Sequence, residues 1–343
     1  MKLKSLVIGL FFATLSVGYV PASQAAKAML INGAGATFPY PLYSKWFSLY
    51  SKINSKVKIN YQSIGSGGGI RQLLDKTVDF GATDAPMKDK ELAKSKVHII
   101  HLPTVLGAVA ITYNVPGVRD GMKLTGKALA AIYLGKITKW NDPKLVALNK
   151  DLNLPNKYIT VAHRSDGSGT SAVFTDYLSK VNPDWKTTVG QGKSIQWPVG
   201  LGGKGNEGVT GLVKQNPNSI GYIELAYAKT NHLPVVALKN RHGDYVLPSV
   251  KAVSKAAAGA KLPKDFRASI TDAAGKGSYP ISAFTYLIVY EKLPAAKGHQ
   301  LVSFLDWAYS KGQSMAEPMD YAPLPKSLIK KVKRAVRQIK FVR

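Results

Sequence analysis

The chain has 343 residues, with 47 Lys and Arg against 20 Asp and Glu, a net charge of +27 and no cysteine. The missing cysteines exclude disulfide stapling, thiolate metal sites and a cysteine nucleophile, so burial must stabilise the fold. Outside the C-terminus the basic residues are scattered rather than clustered, which points to a charged surface and not to a dedicated polyanion-binding face.

The first residues, Met1-Lys2-Leu3-Lys4, are basic, the chain from Ser5 to about Val20 is apolar, and small residues gather at Ala22-Ser23-Gln24-Ala25-Ala26. This is the layout of a cleaved signal peptide, residues 1–25, ending near Ala25 or Ala26. The apolar run is shorter than the roughly 20 residues that a spanning helix needs. Loss of Lys2 and Lys4 leaves a charge of +25. About 317 residues then remain, more than one core usually serves, so two domains are expected.

In chain order, Met29-Leu30-Ile31-Asn32 reads as a buried strand, followed by the loop Gly33-Ala34-Gly35-Ala36 and a helix from about Pro39, in its first turn, to Lys52. The plan repeats: strand Val57 to Tyr61, loop Gly65-Ser66-Gly67-Gly68-Gly69, helix Ile70 to Lys76. Val78 to Ala82 is a further short strand, ending on Thr83-Asp84-Ala85-Pro86. Leu106 to Tyr113 is a continuous apolar run closed by the turn Asn114-Val115-Pro116-Gly117. A helix over Gly126 to Leu134 precedes the strand Tyr158 to His163, the loop Arg164 to Ser171 and a helix to about Ser179. Ile220 to Ile223 is a strand, and the apolar run Ile281 to Tyr290 is able to pair with the one ending at Tyr113. Strands alternating with helices predict an α/β fold with a largely parallel sheet. A chain that leaves one domain near residue 115 and returns near 280 makes that domain discontinuous, with two crossing segments as a hinge.

Three Gly-rich loops, each between a strand and a helix, aim backbone N–H groups and positive helix ends beyond the strand ends, a ready site for an anion. Thr37, Ser66, Ser168 and Thr170 each add a hydroxyl donor there. Arg164 offers paired donors, and Asp166, on the same face if the strand persists, holds the guanidinium in place; the alternative is a surface ion pair. Asp84 only accepts hydrogen bonds. It repels a fully ionised tetrahedral anion and accepts the proton of one that still carries it near neutral pH, unless it is simply a helix N-cap before Pro86.

The strings GAGATFP (Gly33 to Pro39), IGSGGG (Ile64 to Gly69), VDFGATDAP (Val78 to Pro86), RSDGSGTS (Arg164 to Ser171) and WPVGLGGKGN (Trp197 to Asn206) resemble those of the phosphate-binding proteins of phosphate-specific ABC transporters. The resemblance runs in order through nearly the whole mature chain. It implies a two-lobed type II periplasmic-binding-protein fold with inorganic phosphate held in the cleft, lobe I being 26–115 with 279–343 and lobe II 116–278. It implies phosphate contacts from Thr37, the backbone N–H of Phe38, Ser66, Asp84, Arg164, Ser168, Gly169 and Thr170, with Asp166 orienting Arg164. It further implies a periplasmic monomer without cofactor that hands phosphate to inner-membrane ABC permease subunits.

Two features depart from that pattern. His163 stands beside the key arginine, where strand alternation points it away from the ligand. Residues 326–343 carry eight Lys and Arg and no acid, with Leu328, Val332, Ala335, Val336, Ile339 and Val342 at helical spacing. They are expected to form an 18-residue closing helix whose apolar stripe packs on the first domain. A membrane-surface or polyanion contact through its basic face is the alternative. Catalysis finds no motif: Ser168 is flanked by Asp166 and Thr170 rather than by the glycines of a nucleophile elbow, and the histidines show no metal-ligand spacing.

Overall fold

The computed structural model describes residues 28–343; the signal peptide read at 1–25 lies outside the described residues. Strand β1 (Met29–Gly35) leads to α1 (Tyr40–Ile53), and β2 (Val57–Ser63) to α2 (Ser66–Leu74). The strand β3 (Phe80–Thr83), the short helix α3 (Asp89–Leu92) and the long strand β4 (Ile99–Asn114) follow. Then come β5 (Thr160–Arg164), α4 (Gly169–Val181), β6 (Leu201–Gly203), α5 (Gly205–Gln215) and β7 (Ser219–Glu224). The strand β8 (Ser282–Tyr290) and helices α6 (Ala295–Ser310) and α7 (Lys326–Val336) complete the frame.

The eight strands form one curled sheet in the order β2-β1-β3-β8-β4-β7-β5-β6. It is parallel only towards its two ends, and the expected largely parallel sheet is corrected to a mixed one. β4 and β8 run antiparallel to each other and to their outer neighbours. The reason is that β4 carries the chain out and β8 brings it back along the same line. β4 changes partner along its length: Ile99 to Ala108 pair with β8, and Val109 to Asn114 with β7. Buried on both faces, the two strands read as continuous apolar runs.

Helix α1 buries Leu42, Tyr43, Trp46, Phe47 and Tyr50, one stripe of a 3.6-residue period. Trp46 Nε1 donates to the carbonyl of Gly312 at 3.0 Å, and Phe47 and Tyr50 pack on Phe304 of α6. Pro39 is the N-cap and Pro41 sits in the first turn, so the helix starts one residue later than expected. The glycines expected as a loop at 65–69 are largely the first turn of α2. Only Gly65 lies outside it, at φ 86°, a conformation that favours glycine.

The C-terminal helix is shorter than expected. It ends at Val336, and Lys340–Val342 forms a parallel pair with Lys292–Pro294. Like charges four apart at Lys333 and Arg337 oppose continuation of the helix, while Phe341 gains a place over Gly298 and His299. Leu328, Val332 and Val336 are buried as read, so the apolar stripe belongs to the protein's own core.

Within β4, His101 is buried and its Nε2 accepts the N–H of Met87 at 3.0 Å. Burial first, then the charge of Arg267, pushes its pKa from 6.5 to about 4. The unfolded chain takes up this proton as pH falls through 6.5 and the folded protein resists until about 4, so stability is full above 6.5 and lost below it. Urea unfolding at pH 7 and pH 4 should show about 3 kcal/mol of acid destabilisation from this group. His101→Gln, which keeps an acceptor but does not titrate, should lose correspondingly less.

Candidate functional site

The residues singled out in the sequence converge on one place, between the strand ends of the two parallel parts of the sheet. Thr37 and Phe38 precede α1, Ser66 opens α2, and Asp84 follows β3. Facing them, Arg164 ends β5, and Ser168, Gly169 and Thr170 open α4. Asn206 in the first turn of α5 completes the ring. All of these are buried. Such a position, beyond the carboxyl ends of parallel strands and before helix N-termini, favours anions through aligned peptide dipoles.

Arg164 supplies the formal positive charge. Its Nε and Nη2 donate to the two oxygens of Asp166 at 2.7 and 2.6 Å, a bidentate pair, and Nη1 donates to Thr170 Oγ1 at 3.3 Å. Burial opposes ionisation of Asp166. The paired guanidinium and the N–H of Gly205 (3.0 Å) outweigh it and hold the carboxyl below the usual carboxylate range. The backbone N–H of Arg164 donates to Tyr222 Oη at 3.0 Å.

The hydroxyls are poised as donors. Thr37 Oγ1 accepts from both the N–H and Nδ2 of Asn206 (3.1 and 2.7 Å). Ser168 Oγ, the N-cap of α4, accepts from Ser171 N (2.9 Å), and Thr170 Oγ1 accepts from Arg164 and Asn206. An oxygen already fed by an N–H turns its own proton outward, and the chain of donors polarises it.

Asp84 is the counterpoint. Its Oδ1 accepts from Thr285 Oγ1 at 2.8 Å and its Oδ2 from Ser66 Oγ at 3.4 Å, while its N–H donates to Ser66 Oγ at 3.3 Å. It is not a helix cap, since α3 is capped at Lys88. Burial raises its pKa from 3.8 to about 7, against the hydrogen bonds of Thr285 and Ser66 and the charge of Arg164.

The two sides touch. Gly67 N–H donates to the carbonyl of Gly167 at 2.7 Å, and Tyr227 Oη donates to the carbonyl of Thr37 at 2.7 Å. A methyl at Gly169 would overlap Ser66 Oγ and both the carboxylate and the N–H of Asp84, so only glycine admits this approach. His163 stands aside, stacked on Trp197 at 4.8 Å.

Sequence reasoning missed Asn206, Thr285 and Glu224. Asn206 was visible only as the last letter of a quoted string. Thr285 was one hydroxyl inside an apolar run, which is the signal that could have found it. Among the described residues no group of three or more His, Asp or Glu could hold a metal ion, and no helix is long and apolar enough to cross a membrane.

This architecture is that of the two-lobed periplasmic binding proteins, and a family model of the PBP superfamily domain matches residues 20–311. The phosphate-binding protein PstS of Haemophilus influenzae is 48% identical over 94% of this chain and 96% of its own length. PstS of Methanocaldococcus jannaschii is 36% identical over 93% and 88%. The chain belongs to the family of these PstS proteins. The fold likeness extends to a high affinity periplasmic phosphate-binding protein solved with phosphate, at a TM-score of 0.73 over 89% of this chain and 93% of that one, with 21% identity.

Glu224 ends β7 behind the ring. Its N–H donates to Asn206 Oδ1 at 2.9 Å and its Oε2 accepts from Ala226 N at 2.7 Å. Its Oε1 is buried without a hydrogen-bond partner, and the hydroxyl of Tyr321 donates instead to the carbonyl of Phe38 at 2.7 Å. Burial raises the carboxyl well above its ordinary 4.5, so the folded protein keeps a proton that the unfolded chain has lost. Stability is therefore full at low pH and falls as pH rises past 4.5, by up to about 1.4 kcal/mol per pH unit. Glu224→Gln, which keeps the acceptor for Ala226, should remove that slope; its melting temperature should gain on the wild type between pH 5 and pH 8.

Proposed function

We propose that the chain captures inorganic phosphate in the periplasm by closing two lobes over it and delivers it to an inner-membrane ABC permease. It is a binding protein and not an enzyme. The reading rests above all on one observation: the buried hydroxyls of Thr37, Ser168 and Thr170, each already accepting an N–H bond, surround a neutralised Arg164–Asp166 pair, with Asp84 as the buried acceptor of the ring. Thr37, the N–H of Phe38, Ser66, Arg164, Ser168, Gly169 and Thr170 would hold the oxygens. Lobe I would comprise 26–115 and 279–343 and lobe II 116–278, with β4 and β8 as crossing segments. We further propose that residues 1–25 are a cleaved signal, that the mature protein acts as a monomer, and that the exposed basic face of α7 makes at most a weak polyanion or membrane-surface contact.

Selectivity follows from the proton balance. Ionised Asp84 accepts the proton that phosphate still carries near neutral pH; sulfate brings none and meets a bare carboxylate. Because the carboxyl of Asp84 titrates near 7, its acid form becomes a donor at lower pH and the rejection weakens. Calorimetric titration of protein stripped of carried-over anion should show one-to-one phosphate binding, no sulfate binding at pH 8, and weak sulfate binding at pH 5. Asp84→Asn should bind sulfate at both pH values and lose about 1–3 kcal/mol towards phosphate. Folded protein that binds neither anion would overturn the reading.

Closure has its own test. Gly169→Ala should fold with unchanged circular dichroism yet fail to close, remaining expanded in small-angle scattering with phosphate present. Its phosphate affinity should drop by at least ~100-fold, because the added methyl meets the Asp84 backbone N–H together with the buried Ser66 hydroxyl and Asp84 carboxylate, which have no room to withdraw.

A further inference from the structure

A second set of contacts joins the two sides of the cleft away from the ligand ring. A cavity of about 350 Å³ opens beside Asp84, lined by Val173, Asp176, Ile270 and Ser282 among others, and its rim is bridged by charge. On one side is α3, where Glu91 Oε2 accepts the N–H of Lys88 at 2.8 Å. From the other side Lys193 Nζ reaches the same carboxylate, 3.2 Å from Oε1 and 3.0 Å from Oε2. The side chains of Lys193 and Glu91 are only 13% and 24% exposed, so the pair is less screened than a surface bridge. Burial works against the ionised form of Glu91, but the N–H of Lys88 and the ammonium of Lys193 hold its pKa below the usual value. Arg267 grips the same element, donating to Asp89 Oδ1 at 2.7 Å and to the carbonyl of Met87 at 2.9 Å.

Lys193 has a second tie. Its carbonyl accepts the N–H of Ser168 at 2.8 Å. One residue thus holds the backbone of a ligand loop with its main chain and the opposite side of the cleft with its side chain. Contact of a bound oxyanion with both sides of the ring and contact between Lys193 and Glu91 both need the sides to meet, so each favours the other.

We propose that Lys193 and Glu91 form a latch across the cleft that sets how long a bound oxyanion is retained, with Lys193 as a positioning residue for Ser168. The proposal rests on the phosphate and two-lobe reading given above. The pair spans the cleft and would part on opening, so its loss should speed opening and leave encounter and selectivity alone.

The test is stopped-flow release of phosphate from the mature protein, into a coupled phosphate sensor, for Lys193→Met, Glu91→Gln, the double variant and the exchange Lys193→Glu with Glu91→Lys. Each single variant should release phosphate about 5- to 20-fold faster, with association within about twofold of the wild type. The double variant should be no faster than either single one, the exchange should recover part of the retention, and sulfate should stay excluded throughout. Unchanged release in both single variants, or additive effects in the double, would overturn the latch. Should Lys193→Met fail to fold, Glu91→Gln, on the far side of the pair, decides the matter alone. Wild-type protein that binds no phosphate would fail the functional reading, whereas phosphate binding with unaltered release would fail only the latch.

Discussion

The guanidinium of Arg164 is a full charge taken out of water, and the rest of the cleft is arranged around that fact. A buried cation is tolerable only when its countercharge and hydrogen bonds are already in place. Asp166 supplies both with two parallel bonds, and the N–H of Gly205 secures the carboxylate in turn. Before any ligand arrives the pair is close to neutral. An incoming oxyanion is therefore met chiefly by oriented dipoles: helix N-termini and hydroxyls whose oxygens already accept N–H bonds. Asn206 is central to this, since it feeds Thr37 and Thr170 from one amide while its carbonyl receives the N–H of Glu224.

The fold provides this arrangement by splitting the parallel sheet and joining its parts with strands buried on both faces. Asp84 is tied to one of them, through Thr285 on β8, so the sole acceptor of the ring is fixed to a crossing strand rather than to a loop. Glycine then decides how near the sides approach. Gly65 takes a left-handed turn into α2, and Gly169 leaves room where a methyl would strike Ser66 and Asp84. These glycines serve the approach of one backbone to another, a role no side-chain chemistry could fill.

Much of this was legible in the sequence because the informative residues are local. Gly-rich strand-to-helix joints, hydroxyls beside them and an Arg two residues from an Asp are read within a few positions. The pairing of the two long apolar runs was visible only in part: Leu106 to Ala108 pair with β8, but the rest of β8's partner, Ile99 to Val105, was not read as strand, and Val109 to Asn114 turn to β7. What escaped depended on partners distant in sequence. Thr285 meets Asp84 across 201 positions, and a hydroxyl inside an apolar run signals a buried partner without saying which one. The strand at 340–342 needs Lys292–Pro294 to exist at all, and in isolation its residues continue a helical pattern. The mixed sheet escaped for a similar reason, because strand direction is set by where the chain travels between strands and not by their composition.

The net charge of +27 invites an electrostatic account of anion binding, and the carboxyl groups argue against it. Within the cleft each carboxyl follows its own surroundings: Asp166 is held down by its partner Arg164, whereas Asp84 and Glu224 are pushed up, with burial the largest cause in each. Desolvation and immediate partners thus set the charge states at the place where the ligand is chosen. Exposed charges more than about 10 Å away are screened by salt, whereas bonds inside the closed cleft are not. Surface charge can quicken the arrival of an anion. Which anion stays is decided by a few buried donors, one buried acceptor and the protons each has to give.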